Sequence, residues 1–306
     1  MNRIGYACIN MTLGSKGVTT GRAMRKATLE AKGVQHASQL ALQNALDLET
    51  ILKWNVANGI NFFRLGSDLF PWGNKMDVTK LPDFIEIATV LQRCGKFAHD
   101  EDIRITTHPG PFNLLASPKE SVVQNTILDL EMHGLLFDLM NLSQTPFNKI
   151  NIHVGATYGD KLSAAATWNK NFKRLSTSVR NRLTIENDDK AAMYSVDDLH
   201  RLIHSESGVP IVFDYHHHTF NTGDLTEEEA LRLAISTWGD ITPVAHYSES
   251  KSVHENNPKL NPRAHSDYVS NYINTYGLNV DIMIEAKAKE LALLEYRKNY
   301  QELLVI

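Results

Sequence analysis

The sequence predicts a single TIM (β/α)8 barrel, on three observations: eight short β-rich runs, longer amphipathic stretches alternating with them, and no break in composition along 306 residues. The strands are expected at residues 4–9, 62–66, 104–108, 149–154, 183–187, 210–215, 241–247 and 280–286. No glycine-rich phosphate loop follows the first run, which removes the main mark of an open doubly wound sheet. In the stretch 37–58, Leu40, Ala41, Leu48, Ile51, Leu52 and Val56 fall near one helical face, and Gly59 supplies the stop. Ser117 as N-cap, with Pro118 in the first turn and Glu120 three residues on, opens the helix expected across 122–142. Ser195, Val196, Asp197 and Asp198 open another after the fifth strand.

The bulk composition narrows the function classes. A content of 42% hydrophobic and 22% charged residues is that of a globular protein, and no linker or low-complexity tract divides it. The apolar runs at 291–294 and 303–306 fall far short of the roughly 20 residues of a membrane span. With no basic-then-apolar leader at the start, a cytoplasmic location is expected, nucleoid-associated in a prokaryote. Cys8 and Cys94 cannot build a disulfide framework and are expected to be reduced and buried. A net charge of −4 gives no global attraction to nucleic acid, so DNA binding would need a local basic surface or bound cations.

Catalytic groups of such barrels stand at the C-terminal ends of the strands. Those ends carry Tyr6 and Asn10, Arg64 and Asp68, His108, His153, Glu186, Asp214 followed by His216, His217 and His218, then His246 and Glu285. So many imidazoles and carboxylates on one rim would bury uncompensated charge unless cations joined them. Mixed His and carboxylate ligation suits zinc, manganese or iron, with a lean towards manganese. Glu186 and Glu285 end the apolar strands Leu183-Thr184-Ile185 and Ile282-Met283-Ile284 and are the strongest ligand candidates. Asp214 and His216 share a face if the strand continues, whereas His217 joins the rim only if the chain turns after Tyr215.

At these residues the chain resembles the UV damage endonuclease family, metal-dependent barrel enzymes that nick DNA on the 5′ side of ultraviolet photoproducts. The resemblance covers almost the whole chain. It is carried by Gly5-Tyr6 with Asn10, Phe62-Phe63-Arg64-Leu65, His108-Pro109-Gly110, Ile152-His153-Val154-Gly155, Gly159-Asp160-Lys161, Leu183-Thr184-Ile185-Glu186-Asn187-Asp188, Asp214-Tyr215-His216-His217, His246-Tyr247-Ser248, His265-Ser266-Asp267-Tyr268 and Ile284-Glu285-Ala286-Lys287. It implies that His108, His153, Glu186, Asp214, His217, His246, His265 and Glu285 hold a cluster of up to three divalent ions, expected to be Mn²⁺ with Zn²⁺, Co²⁺ or Mg²⁺ as alternatives. Tyr6 and Asn10 would then line the site and contact the substrate. Phosphate contacts are expected from Arg64, Lys161 and Lys287, and more widely from Lys251, Lys259 and Arg263. The 248–263 segment, too long for an ordinary loop, reads equally as a DNA clamp or a tolerated insertion.

Two positions depart from the family pattern. A lysine that becomes a bridging carbamate is replaced by Val244, which implies a weaker or water-completed third metal site. A Gln-Tyr pair that wedges into the duplex is replaced by Pro111-Phe112, where Phe112 can still unstack bases but Pro111 cannot supply the amide's hydrogen bonds. The expected reaction is hydrolysis of the phosphodiester immediately 5′ of cyclobutane dimers and 6-4 photoproducts by metal-activated hydroxide, leaving 3′-hydroxyl and 5′-phosphate ends. The expected partner is damaged double-stranded DNA, with no membrane and no obligate protein partner. The rival readings are an abasic-site endonuclease or sugar isomerase on the same scaffold, and a damage-binding protein without catalysis.

Overall fold

The computed structural model describes residues 3–301, so the 303–306 run lies outside the described residues. All eight expected strands are present, each four residues long: β1 (Ile4–Ala7), β2 (Phe62–Leu65), β3 (Arg104–Thr107), β4 (Ile150–His153), β5 (Leu183–Glu186), β6 (Ile211–Asp214), β7 (Val244–Tyr247) and β8 (Asp281–Ile284). They pair in parallel in sequence order and close through β8 on β1. The strands are shorter than expected because the chain leaves the ladder at the rim; at Cys8 the backbone turns left-handed, φ 69°, and ends β1 at Ala7.

Side chains alternate across the barrel wall with period two. Tyr6, Phe63, Ile105, Ile152, Ile185 and Ile284 face outward and join the large core beneath the helices. Ala7, Phe62, Val212, Val244 and Met283 face inward and form a small separate core with Trp238. At the N-terminal end of the strands, the Arg104 guanidinium bonds Asp281 at 2.9 Å and the carbonyls of Phe147, Thr242 and Pro146 at 2.8–3.1 Å. This closes the barrel floor and leaves the opposite rim for chemistry.

The outer layer comprises α1 (Lys26–Ala57), α2 (Phe84–Asp100), α3 (Glu120–Leu139), α4 (Lys161–Phe172), α5 (Val196–Leu199), α6 (Glu227–Ser236), α7 (Lys251–His254) and α8 (Glu290–Asn299). The expected 37–58 helix is the second arm of α1, which is broken at Gly33 (φ 72°, ψ −176°), and Gly59 (φ 67°) follows its end. Ser195 and Asp198 cap α5 reciprocally, as expected. Ser117 does not cap α3: its hydroxyl accepts from Lys119 N in a local turn, and the helix starts at Glu120 with Lys119 as N-cap. The seventh repeat is also reduced, because its helix α7 is a single turn inside the long 248–263 segment. That segment is tied down: Ser250 bridges His265, and Arg263 pairs with Asp189 at 3.0 Å and lies over the Phe220 ring.

Candidate metal centre

Inward residues at the C-terminal ends of β4 to β7 converge on the rim with His108, just after β3, and Glu285, just after β8. Glu186 stands at the centre of the rim and its two oxygens face different histidines. Oε2 lies 3.0 Å from His108 Nε2 and 3.1 Å from His246 Nδ1, while Oε1 lies 3.4 Å from His217 Nδ1 and 3.9 Å from His153 Nε2. A carboxylate set between two imidazole pairs has the arrangement of a ligand shared by two cations. A third grouping joins Asp214, His246 and Glu285, with Glu285 Oε1 3.1 Å from His246 Nδ1. Within each of the three groups the candidate ligand atoms lie within 4.8 Å of one another.

The chain does turn after Tyr215. A one-turn helix, Tyr215–His218, is capped by Asp214, whose Oδ1 accepts from His217 N at 2.7 Å, and this brings His217 back over the rim. His216 points away, edge-on to the rings of His265 and Phe220. His265 itself stands at the margin: its Nδ1 meets the Glu285 carbonyl at 2.8 Å and lies 4.0 Å from Glu285 Oε2. Thus seven of the eight expected ligands meet in the three groups, and His265 does not join them.

The electrostatics of this cluster are set by burial and by closely spaced carboxylates and imidazoles. Burial raises Asp214 to about 7, opposed by His217 and reinforced by the neighbouring Glu186 and Glu285 carboxylates. Burial disfavours the charged form of His153, but Glu186, Asp188 and Asp214 outweigh it and raise the imidazole to about 10. Burial holds His246 down at about 4. Burial also disfavours ionised Glu285, yet Arg64 and His246 keep its carboxyl well below the usual range. Asp214 Oδ2 and His246 Nδ1 are buried without a satisfactory hydrogen bond, and such orphaned atoms are normally explained by an ion or water. The donor set and these orphaned atoms therefore fit divalent cations.

Several expected substrate contacts lie elsewhere. Tyr6 is fully buried outside the barrel wall, its hydroxyl bonded to Asn55 on α1 at 2.7 Å and to Asn10 at 3.0 Å; Asn10 in turn caps the rim turn Met11–Gly14. Both stand behind the site: Tyr6 because Ala7, its neighbour on the strand, points inward, and Asn10 through its bonds to Tyr6 and Leu13. Arg64 is engaged by Glu285 in a short ion pair, and Lys161 by Asp198 at 2.7 Å. Lys287 is exposed on the rim, as are Pro111 and Phe112. Sequence reasoning missed Asn151, whose amide donates to Glu186 Oε2, and Asp188, 3.1 Å from His153 Nδ1. Asn151 lies on the inner face of β4 two residues before His153, so the period of two could have found it.

The model of the UV-endonuclease UvdE family matches residues 2–306. The chain belongs to that family. Among UvdE relatives, the UV-damage endonuclease of Schizosaccharomyces pombe is 37% identical over 98% of this chain and 51% of its own length. The UV DNA damage endonuclease of Clostridium perfringens is 32% identical over 98% of this chain and 71% of its own. The chain thus spans about half the length of the yeast relative. The crystal structure of SacUVDE superposes over 100% of both chains with a TM-score of 0.85 at 30% identity. A D-psicose 3-epimerase from Clostridium cellulolyticum H10, at 12% identity and TM-score 0.52, shares the fold alone. Val244 sits two residues below His246 in the apolar interior core, where it can offer no ligand.

Proposed function

We propose that this protein is a divalent-metal-dependent DNA repair endonuclease that nicks the phosphodiester immediately 5′ of ultraviolet photoproducts, leaving 3′-hydroxyl and 5′-phosphate ends. The observation that carries the reading is Glu186 set between two imidazole pairs, beside a second buried carboxylate group at Asp214 and Glu285. Divalent ions there would activate water and neutralise phosphate oxygens, with Mn²⁺ the expected ion. The chain's own part is to hold Glu186 between the histidines, with Asn151 fixing one carboxylate oxygen. Asp188 orients His153, and Arg64 steadies Glu285. Opposing charges arrayed around a buried rim are pre-organised for a phosphate that arrives with its own negative charge.

Phe112 supplies the second element. It projects from the loop after β3 with 76% of its surface exposed. Its loop is braced from below, since Asn113 donates to Gly110 O at 3.0 Å and to Asp129 on α3 at 2.8 Å. A braced loop carrying an exposed aromatic beside a phosphodiesterase centre suits a wedge that opens poorly stacked, damaged steps. Lys287 gives a free cation at the same rim for the backbone. The test is nicking of a duplex carrying one cyclobutane dimer, with Mn²⁺ or chelator, beside undamaged and abasic duplexes. Metal-dependent cleavage directly 5′ of the dimer is expected. Cleavage confined to abasic DNA, or none under any metal, overturns the reading.

A further inference from the structure

The barrel interior contains a lysine that the chemistry above does not use. Lys149 immediately precedes β4, is fully buried, and sends its side chain up the barrel interior to the underside of the rim. There Nζ lies 3.1 Å from His246 Nε2, its one hydrogen-bond partner among the described residues. Burying a lysine without a directly paired carboxylate is costly, and an apolar residue of the same length would be the cheaper filling. Stability therefore does not account for it.

We infer that Lys149 is a positioning residue of the metal centre, which fixes the His246 ring so that Nδ1 faces Glu186 and Glu285. The inference rests on the metal-centre reading above. His246 belongs to two of the three candidate groups, and its Nδ1 stands 3.1 Å from an oxygen of each glutamate. A half-turn of the ring about χ2 would put carbon Cδ2 where Nδ1 now stands and remove the ligand atom from both groups. The two orientations have nearly the same shape, so packing alone discriminates poorly between them. The contact at Nε2 exists in only one of them. Hydrogen-bond partners of this kind commonly change metal affinity by about 10- to 100-fold.

The test uses the full chain stripped of metal, with Lys149→Met, which keeps length and removes the hydrogen bond, and Lys149→Gln, whose shorter side chain keeps a carbonyl acceptor for the Nε2–H of a His246 that binds through Nδ1. Folding is checked by circular dichroism and thermal melting, and Co²⁺ binding by calorimetry and by the visible ligand-field band. Lys149→Met is expected to bind Co²⁺ about 10- to 100-fold more weakly with an altered band, and Lys149→Gln to recover part of both. A Lys149→Met protein whose Co²⁺ affinity lies within about twofold of the parent and whose band is unchanged overturns the inference. Should Lys149→Met not fold, ¹⁵N spectra of histidine-labelled parent protein decide: a hydrogen-bonded His246 Nε2 is expected, and an unbonded one overturns the proposal. A parent that binds no Co²⁺ sinks the metal-centre reading itself, which is a separate result.

Discussion

Replacing Phe112 by alanine separates a DNA enzyme from a barrel that handles small sugars, without a folding complication. Phe112 is 76% exposed, so on a side-chain area of about 200 Å² roughly 150 Å² is available to a partner. At about 25 cal/mol per Å² this sets a ceiling near 4 kcal/mol for its burial in a duplex. Part of that is offset by the cost of unstacking bases, and aromatic–base contacts are worth about 1–3 kcal/mol. Phe112→Ala should therefore weaken binding of a dimer-containing duplex by about 5- to 150-fold. The loss on undamaged duplex should be smaller, and the melting temperature should hold. Fluorescence anisotropy at fixed salt, with lesion and control duplexes, measures it. Equal affinity of the parent and variant for lesion DNA would refute the wedge argument.

The other predictions concern the centre, its protons and the barrel floor. Glu186→Gln removes the carboxylate shared by both imidazole pairs; kcat for nicking should fall at least about 10³-fold, about 4 kcal/mol, and elemental analysis should show fewer bound ions. His153 (raised to about 10) and Asp214 (raised to about 7) hold protons that metal must displace, so metal affinity should rise with pH and calorimetry in different buffers should show proton release. In the metal-free protein, a raised histidine stabilises fully below its unfolded value and loses this as pH rises through its folded one, and ionising the raised Asp214 carboxyl also disfavours the fold. The melting temperature of stripped protein should therefore fall between about pH 6.5 and 10 as His153 loses its proton, with Asp214 adding to the fall only up to about pH 7, and a flat or rising profile would refute the assignment. Asp281→Asn leaves the buried Arg104 uncompensated and should cost about 3–5 kcal/mol in denaturant unfolding while metal binding persists.

The sequence by itself determined the architecture. Alternating short β runs and amphipathic stretches admit few topologies, and all eight strands stand where their hydrophobic period placed them. It also marked seven of the residues that the fold gathers into the candidate groups, because a carboxylate ending an apolar run, as at Glu186 and Glu285, is expensive wherever the fold puts it. Both departures at Val244 and Pro111-Phe112 were legible as residue types.

The tertiary structure decided phase and pairing. A period of two says that faces alternate but not which face is inside, and the ladder of β1 with β2 and β8 was needed to put Ala7 inward and Tyr6 with Asn10 behind the wall. The turn after Tyr215, capped by Asp214, selected His217 over His216. Arg64 and Lys161 look like free cations in the chain, yet each is held by an acid distant in sequence, Glu285 and Asp198. Local sequence encodes period, caps and cost of burial, whereas the partner of a charge and the direction of a ring depend on strands brought together across the barrel. Lys149 beneath His246, 97 residues apart, is such a pair.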